Sequence, residues 1–369
     1  MNAMKILAKL KSWLVNAGLA LISVIICLAI IEILVRVYVP TWYPRYSFIA
    51  DPDLGYINTP NHSFRLKSGE FDISSTTNRH GFRDDSFEKD GRKVIMALGD
   101  SFAWGFGVEY DQVFLTQLEK ETGMRIVKTG VCGYGTIHAA KLFEREWKTF
   151  EPDIVLLSFF IGNDFYENTG AHNLTVIDGW FREIPKGDSS LAYTTVTWLR
   201  GKLRLVEFVI GKIKSSITLY DMVSRFGFAR GELIGEVDLF KIEESPPVTK
   251  AYERTYEIIA QLGREVKNSG AKLIVAIIPT KNQVDQELFS DEMKRAGKDI
   301  SDYDLKAPNR RLTAMLDELG IAYTDLTPGF RERQRKSPAS KLYFAVDRHW
   351  NKEGHDLAAS LLAKTIKGI

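Results

Sequence analysis

From Val94 onward, short apolar runs alternate with stretches of helical periodicity, and this alternation limits the fold more than any other feature of the chain. Val94–Leu98, Arg125–Lys128, 154–161, Lys272–Ile278 and Ala322–Asp325 read as strands. Residues 112–122, 137–149, 249–269 and 309–319 read as helices, and a last helix from 352 to 366 starts where Asn351 can cap it. Strands joined by helical crossovers run parallel, so the expected fold is α/β: a parallel sheet flanked by helices, with ligands at the carboxyl ends of the strands.

The N-terminal part obeys a different pattern. Residues 13–35 are almost continuously apolar, long enough to cross a hydrocarbon core of roughly 30 Å as a helix. Lys5, Lys9 and Lys11 precede this stretch and fewer cations follow it, which places the N-terminus in the cytoplasm and the bulk of the chain outside. The competing reading is a cleaved signal peptide, but the run exceeds the usual h-region and no small-x-small site follows. Cys27 then sits in the span as a small hydrophobe, and Glu32 with Arg36 forms a pair across one helical turn. The expected organisation is an anchor over 1–38, a turn-rich linker and cover over 39–92, and a catalytic domain over 93–369 with an insertion at about 166–247.

Chemistry concentrates in four loops. Gly99-Asp100-Ser101 falls between a strand and the glycine-spaced stretch 102–108. A serine there has its hydroxyl held out by the turn and its N–H at a helix start, although plain turn and N-cap chemistry gives the same tripeptide. Residues 128–136 follow the second strand and contain Gly133, whose backbone N–H can approach a ligand closely. Gly162-Asn163-Asp164 closes the third strand with an amide able to donate to an oxyanion. Near the C-terminus comes Asp347-Arg348-His349-Trp350-Asn351. On an extended segment, residues two apart share a side, so the carboxylate can orient the imidazole.

Together these segments resemble the SGNH/GDSL hydrolase family. The resemblance covers roughly residues 90–369 and implies a three-layer, flavodoxin-like sandwich with a helical insertion behind one N-terminal transmembrane helix. It makes Ser101 the nucleophile, His349 the general base and later acid, and Asp347 the residue that fixes the imidazole tautomer. The oxyanion hole would comprise the backbone N–H groups of Ser101 and Gly133 and the side-chain amide of Asn163. Two departures stand out. The ending is Asp-x-His where Asp-x-x-His is commoner, a form resembling variants among membrane-associated polysaccharide O-acetylation proteins, and Lys128 occupies a position often held by asparagine. The implied activity is cleavage of ester bonds, with acylated envelope glycans or exopolysaccharides as substrates. Transfer of the acyl group to a sugar hydroxyl is the alternative, and a glycan-binding scaffold without turnover is a third reading.

Rival chemistries do not fit. Ala103 replaces the second glycine of Gly-x-Ser-x-Gly, and there is no Walker loop, His-Glu-x-x-His or paired Cys-x-x-Cys. The Gly105 and Gly133 clusters lack a dinucleotide fingerprint, so neither a metal nor a nucleotide cofactor is expected. A net charge of +2 and two cysteines describe an ordinary globular chain that does not bind nucleic acid.

Residues 199–228 carry apolar positions at helical spacing with Arg200, Lys202, Arg204, Lys212 and Lys214 interleaved. This predicts either a cover packed on the domain or a helix resting on anionic lipid. Asn78–Arg83 is expected as a structural cover or a substrate contact. Asp100 and Asp164 are expected to order their loops, and Cys132 to pack beside Gly133. Trp104, Phe106 and Tyr134 are candidates for either a pocket lining or the core.

Overall fold

The computed structural model describes residues 2–39, 44–170, 173–177, 179–184, 195, 198–199, 202–214, 235–337 and 341–368. Two compact units result, one made of residues 1–41 with 187–230 and the other of residues 42–186 with 231–369.

The larger unit begins with two antiparallel hairpins where the sequence reads as irregular: β1 (Phe48–Asp51) pairs with β2 (Gly55–Asn58), and β3 (Ser63–Lys67) with β4 (Asp72–Thr76). The strands are short and, β2 apart, partly exposed, and the Asp51 side chain closes the first turn by accepting from the Asp53 and Leu54 N–H groups. Next come β5 (Val94–Leu98), β6 (Arg125–Lys128) and β7 (Ile154–Phe160). A third hairpin, β8 (Asn173–Ile177) with β9 (Trp180–Ile184), lies in the insertion. β10 (Lys272–Ile278) and β11 (Ala322–Asp325) complete the set. The central sheet runs β11–β10–β7–β5–β6 and is parallel throughout. β5 and the first six residues of β7 are buried, which explains their continuous apolar runs.

Helices Phe114–Thr122, Thr136–Phe150, Pro246–Asn268, Ala307–Glu318 and Lys352–Ile366 flank this sheet close to the predicted positions. Asn351 Oδ1 accepts from Gly354 N at 3.1 Å and so caps the last helix. That helix packs on Phe114–Thr122, where the buried His355 accepts from Phe114 N at 3.2 Å. Burial pulls the His355 pKa down to about 3, so the ring is a neutral packing element. The order of the sheet reverses direction after β6, which puts the crevice at the carboxyl ends of β5 and β7.

The smaller unit holds the helix Asn2–Tyr38, of which Trp13–Tyr38, 26 residues, is long and apolar enough to cross a membrane. Within it, Arg36 Nε donates to Glu32 Oε1 at 2.6 Å. Of the predicted amphipathic stretch, residues 200–201 and 215–228 lie outside the described residues, and a helix spans Arg204–Lys214. Its first turn is closed by Glu32, which accepts from Arg204 N at 2.9 Å and Leu205 N at 2.8 Å, while Arg36 donates to Lys202 O. A carboxylate at a helix start satisfies free N–H groups and the dipole together. Within the smaller unit, the helix Arg204–Lys214 is thus tied to the anchor helix.

Candidate active site

The fully buried β5 delivers Gly99-Asp100-Ser101 to the crevice. Gly99 has φ +152°, and a Cβ there would lie 2.8 Å from Ser158 Cβ and 2.9 Å from Ala103 Cβ, so the turn requires glycine. Asp100 Oδ1 accepts from Phe102 N at 2.8 Å and caps the short helix Ser101–Trp104. Ser101, the first residue of that helix, keeps its side chain at the surface of the crevice.

The C-terminal loop brings the other groups to it. Ser101 Oγ lies 2.7 Å from His349 Nε2, and His349 Nδ1 lies 2.6 Å from Asp347 Oδ1. The Asp347 and His349 side chains retain 11% and 18% of their exposure, enough to be reached from the crevice and shielded from bulk water. The imidazole is wedged between Phe102 and Phe106, with ring centroids 5.0 and 4.7 Å away. Trp350, fully buried, anchors the segment beneath it. The local geometry differs from the extended segment expected from sequence. Arg348 adopts φ +74°, so Asp347 and His349 face each other across a left-handed residue.

β7 supplies Gly162-Asn163-Asp164. Asp164 is buried and accepts from Thr136 Oγ1 at 2.6 Å and Phe160 N at 2.7 Å, tying the second and third loops together. Burial raises its pKa from the usual carboxylate range to about 7. Burial and then the Asp164 charge push Asp100 well above that range as well, opposed by the Phe102 N–H and the Asn163 amide. Gly133 has φ +81° in the loop after β6. The backbone N–H groups of Ser101 and Gly133 meet no acceptor among the described residues.

Lys128, the departure noted in sequence, faces away from this chemistry. Its ammonium donates to Asp84 Oδ1 at 3.0 Å and Glu119 Oε2 at 2.7 Å, and Arg125 joins the same buried cluster. Trp104, Phe106 and Tyr134 are buried at 2% exposure or less, which settles them as core. Cys132 is buried, and its carbonyl accepts from Tyr56 OH at 2.9 Å.

Two side chains of the cover reach the site: Arg83, in the stretch expected as a structural cover or a substrate contact, and Glu70, which sequence reasoning missed. Arg83 donates to Gly105 O at 2.7 Å and Val108 O at 2.9 Å, with its guanidinium 4.6 Å from the Trp104 ring, and so holds the loop behind Ser101. Glu70, at the tip between β3 and β4, accepts from three N–H groups of the loop carrying Asp347. The sequence carries no signal for Glu70, whereas the two-residue alternation of β3 hints at a strand.

The C-terminal third of this chain is similar to an SGNH hydrolase-like domain. Residues 239–369 match the family model described as "SGNH hydrolase-like domain, acetyltransferase AlgX", a match that includes Asp347 and His349 and stops short of Ser101, Gly133 and Asn163. The chain is similar to the alginate biosynthesis protein AlgX of Pseudomonas syringae pv. tomato, 30% identical over 116 residues, or 31% of this chain and 22% of that one. It is also similar to the probable alginate O-acetylase AlgJ of Azotobacter vinelandii, 27% identical over 219 residues, or 56% of this chain and 53% of that one. The chain thus spans about half or less of the length of these curated relatives. Among solved structures, the lipase/acylhydrolase from Enterococcus faecalis aligns with 75% of this chain and 96% of its own at 12% identity and a TM-score of 0.39.

Proposed function

We propose that this protein is a membrane-anchored serine enzyme of acyl-ester chemistry, acting on an acylated polysaccharide outside the cytoplasm. The observation that carries this reading is the continuous contact from Ser101 Oγ to His349 Nε2 and from His349 Nδ1 to Asp347. In the proposed reaction His349 takes the Ser101 proton while the oxygen attacks an ester carbonyl. Asp347 holds the ring in the tautomer that leaves Nε2 free and stabilises the imidazolium. The negative oxygen of the tetrahedral intermediate receives the Ser101 and Gly133 N–H groups and the Asn163 amide. His349 returns the proton to the departing alcohol, leaving an acyl-Ser101, and then activates the acceptor hydroxyl that takes the acyl group away.

Water as acceptor makes an esterase, and a sugar hydroxyl makes an O-acyltransferase. Two observations favour the second. The matched family description names an acetyltransferase, and one relative is named as an alginate O-acetylase. The anchor supports placement at the membrane: the Trp13–Tyr38 helix is exposed along nearly its whole length, as a lipid-facing helix would be. A start in the cytoplasm is the reading that the preceding lysines support.

The test is to incubate the full-length protein in detergent with an activated acetyl ester, with and without a deacetylated polyuronate, and to follow acetate release and polymer acetylation together. Polymer acetylation that disappears in Ser101→Ala supports transfer. Acetate release alone supports hydrolysis, and no Ser101-dependent turnover of either kind, with no labelling by a fluorophosphonate, removes the proposal.

A further inference from the structure

The loop that carries Asp347 is closed at its base, where Phe344 N donates to His349 O at 2.9 Å and Phe344 packs against the core. Its tip has no such packing, and Val346 is 83% exposed. Its backbone N–H groups converge instead on one side chain. Glu70 Oε1 accepts from Ala345 N at 2.6 Å and Val346 N at 3.1 Å, and Oε2 accepts from Asp347 N at 2.8 Å. A carboxylate offers acceptor sites only, so it can receive three N–H groups where an amide would turn its own donors against them. From the opposite side, Lys281 Nζ donates to Phe344 O at 3.2 Å and Ala345 O at 2.8 Å.

Glu70 is itself held in place. Ser68 Oγ accepts from the Glu70 and Phe71 N–H groups, and Ser68 N donates to Phe71 O, closing a tight tip between β3 and β4. Phe71 then packs on Phe106 and Phe344, the first of which also contacts the His349 ring. The hairpin thus reaches the imidazole indirectly, from Phe71 by way of Phe106, and the carboxylate's backbone directly, through Glu70.

We propose that Glu70 is a positioning residue of the site: by fixing the backbone of 345–347 it sets Asp347 at bonding distance from His349. This rests on the Ser101–His349–Asp347 reading above. The distance between a catalytic base and its orienting carboxylate is sensitive to small displacements, and a shift of about 1 Å can lower a rate by about 10²-fold.

The experiment compares the full-length protein with its Glu70→Ala and Glu70→Gln variants in the same detergent. It reads kcat and KM for an activated acetyl ester, the downfield proton resonance of the His349 Nδ1–H bonded to Asp347, and the thermal transition. The expected result for Glu70→Ala is a kcat lower by about 10- to 100-fold with KM changed by less than about twofold, and a broadened or missing downfield resonance in protein that still unfolds cooperatively. Glu70→Gln, which keeps one acceptor oxygen, falls between, and carries the comparison should the alanine variant not fold. A variant with wild-type kcat and resonance overturns the proposal. So does a loss of activity matched by loss of folded protein while the resonance per folded molecule stays intact. A wild-type protein that turns over no ester removes the reading of the site, whereas the resonance still decides whether Glu70 sets the Asp347–His349 contact.

Discussion

Asp347 and His349 bond at 2.6 Å with one residue between them because Arg348, at φ +74°, folds the backbone back on itself. A left-handed conformation costs an L-residue roughly 1 kcal/mol, more when it is β-branched. Part of that cost is offset by the ion pair of Arg348 with Glu292. Arg348→Ile is expected to lower kcat by about 10-fold or more, whereas Arg348→Gly, which accepts the conformation freely, is expected to remain within about threefold of wild type. Steady-state kinetics on an acetyl ester checks the ranking, and equal losses in the two variants would contradict it.

Ser101→Ala and His349→Ala act on one unit. Each is expected to lower kcat by at least about 10³-fold, and the double variant to be no slower than either alone. Additive losses, measured with the same ester, would mean that the two side chains work independently.

Asn163→Ala removes one donor from the proposed oxyanion site. The expectation is a kcat lower by about 10²- to 10³-fold at little-changed KM. A near-normal rate would take Asn163 out of the mechanism.

Asp164 gives the fold a pH dependence whose sign follows from its raised pKa. With a folded value of about 7 against an ordinary 3.8, the native state binds more protons than the unfolded chain between those two values. Stability contributed by this group is full near pH 4 and declines as the pH rises through 7. In Asp164→Asn the amide can donate to Thr136 Oγ1 while its oxygen still accepts from Phe160 N, so the fold survives and this decline flattens. Thermal transitions measured from pH 4 to 8 in both proteins test it, and parallel profiles would refute the assignment.

Lys128 stabilises the cover. Its removal leaves the fully buried Asp84 carboxylate with fewer partners, and breaking a buried pair typically costs about 3 to 5 kcal/mol. Lys128→Met is expected to lower the unfolding free energy toward that range without changing kcat per folded molecule. Denaturant titration with active-site counting measures both.

The inner strands β5, β7 and β10 were legible because they are largely buried and read as nearly unbroken apolar runs. Lys272–Ile278 and Ala322–Asp325 fall at the residues the pattern indicates. Helix starts shifted where a turn intervened: Tyr110–Gln112 forms its own short turn, so the following helix begins at Phe114 and not at 112. Gln286–Arg295 and Thr327–Lys336 escaped notice because each presents too few apolar residues to show a period. In the candidate site Ser101, Gly133 and Asn163 follow β5, β6 and β7, so their loops were legible from strand ends, whereas the Asp–His pair lies between two helices and was found by residue type alone. What sequence could not supply was backbone sign and distant support. Nothing in Asp347-Arg348-His349 announces a left-handed residue, and nothing near Glu70 points some 275 residues ahead to the loop it holds.

Glu70 and Arg83 also set the order in which the protein can mature. One grips a loop near the end of the chain and the other the segment behind the serine, yet both belong to the part synthesised before the central sheet. Contacts of such sequence separation form late and slowly. On the proposed reading, Ser101 is made long before the Asp347–His349 segment that Glu70 holds, so a chain still lacking residues 345–369 would carry the serine with no imidazole beside it.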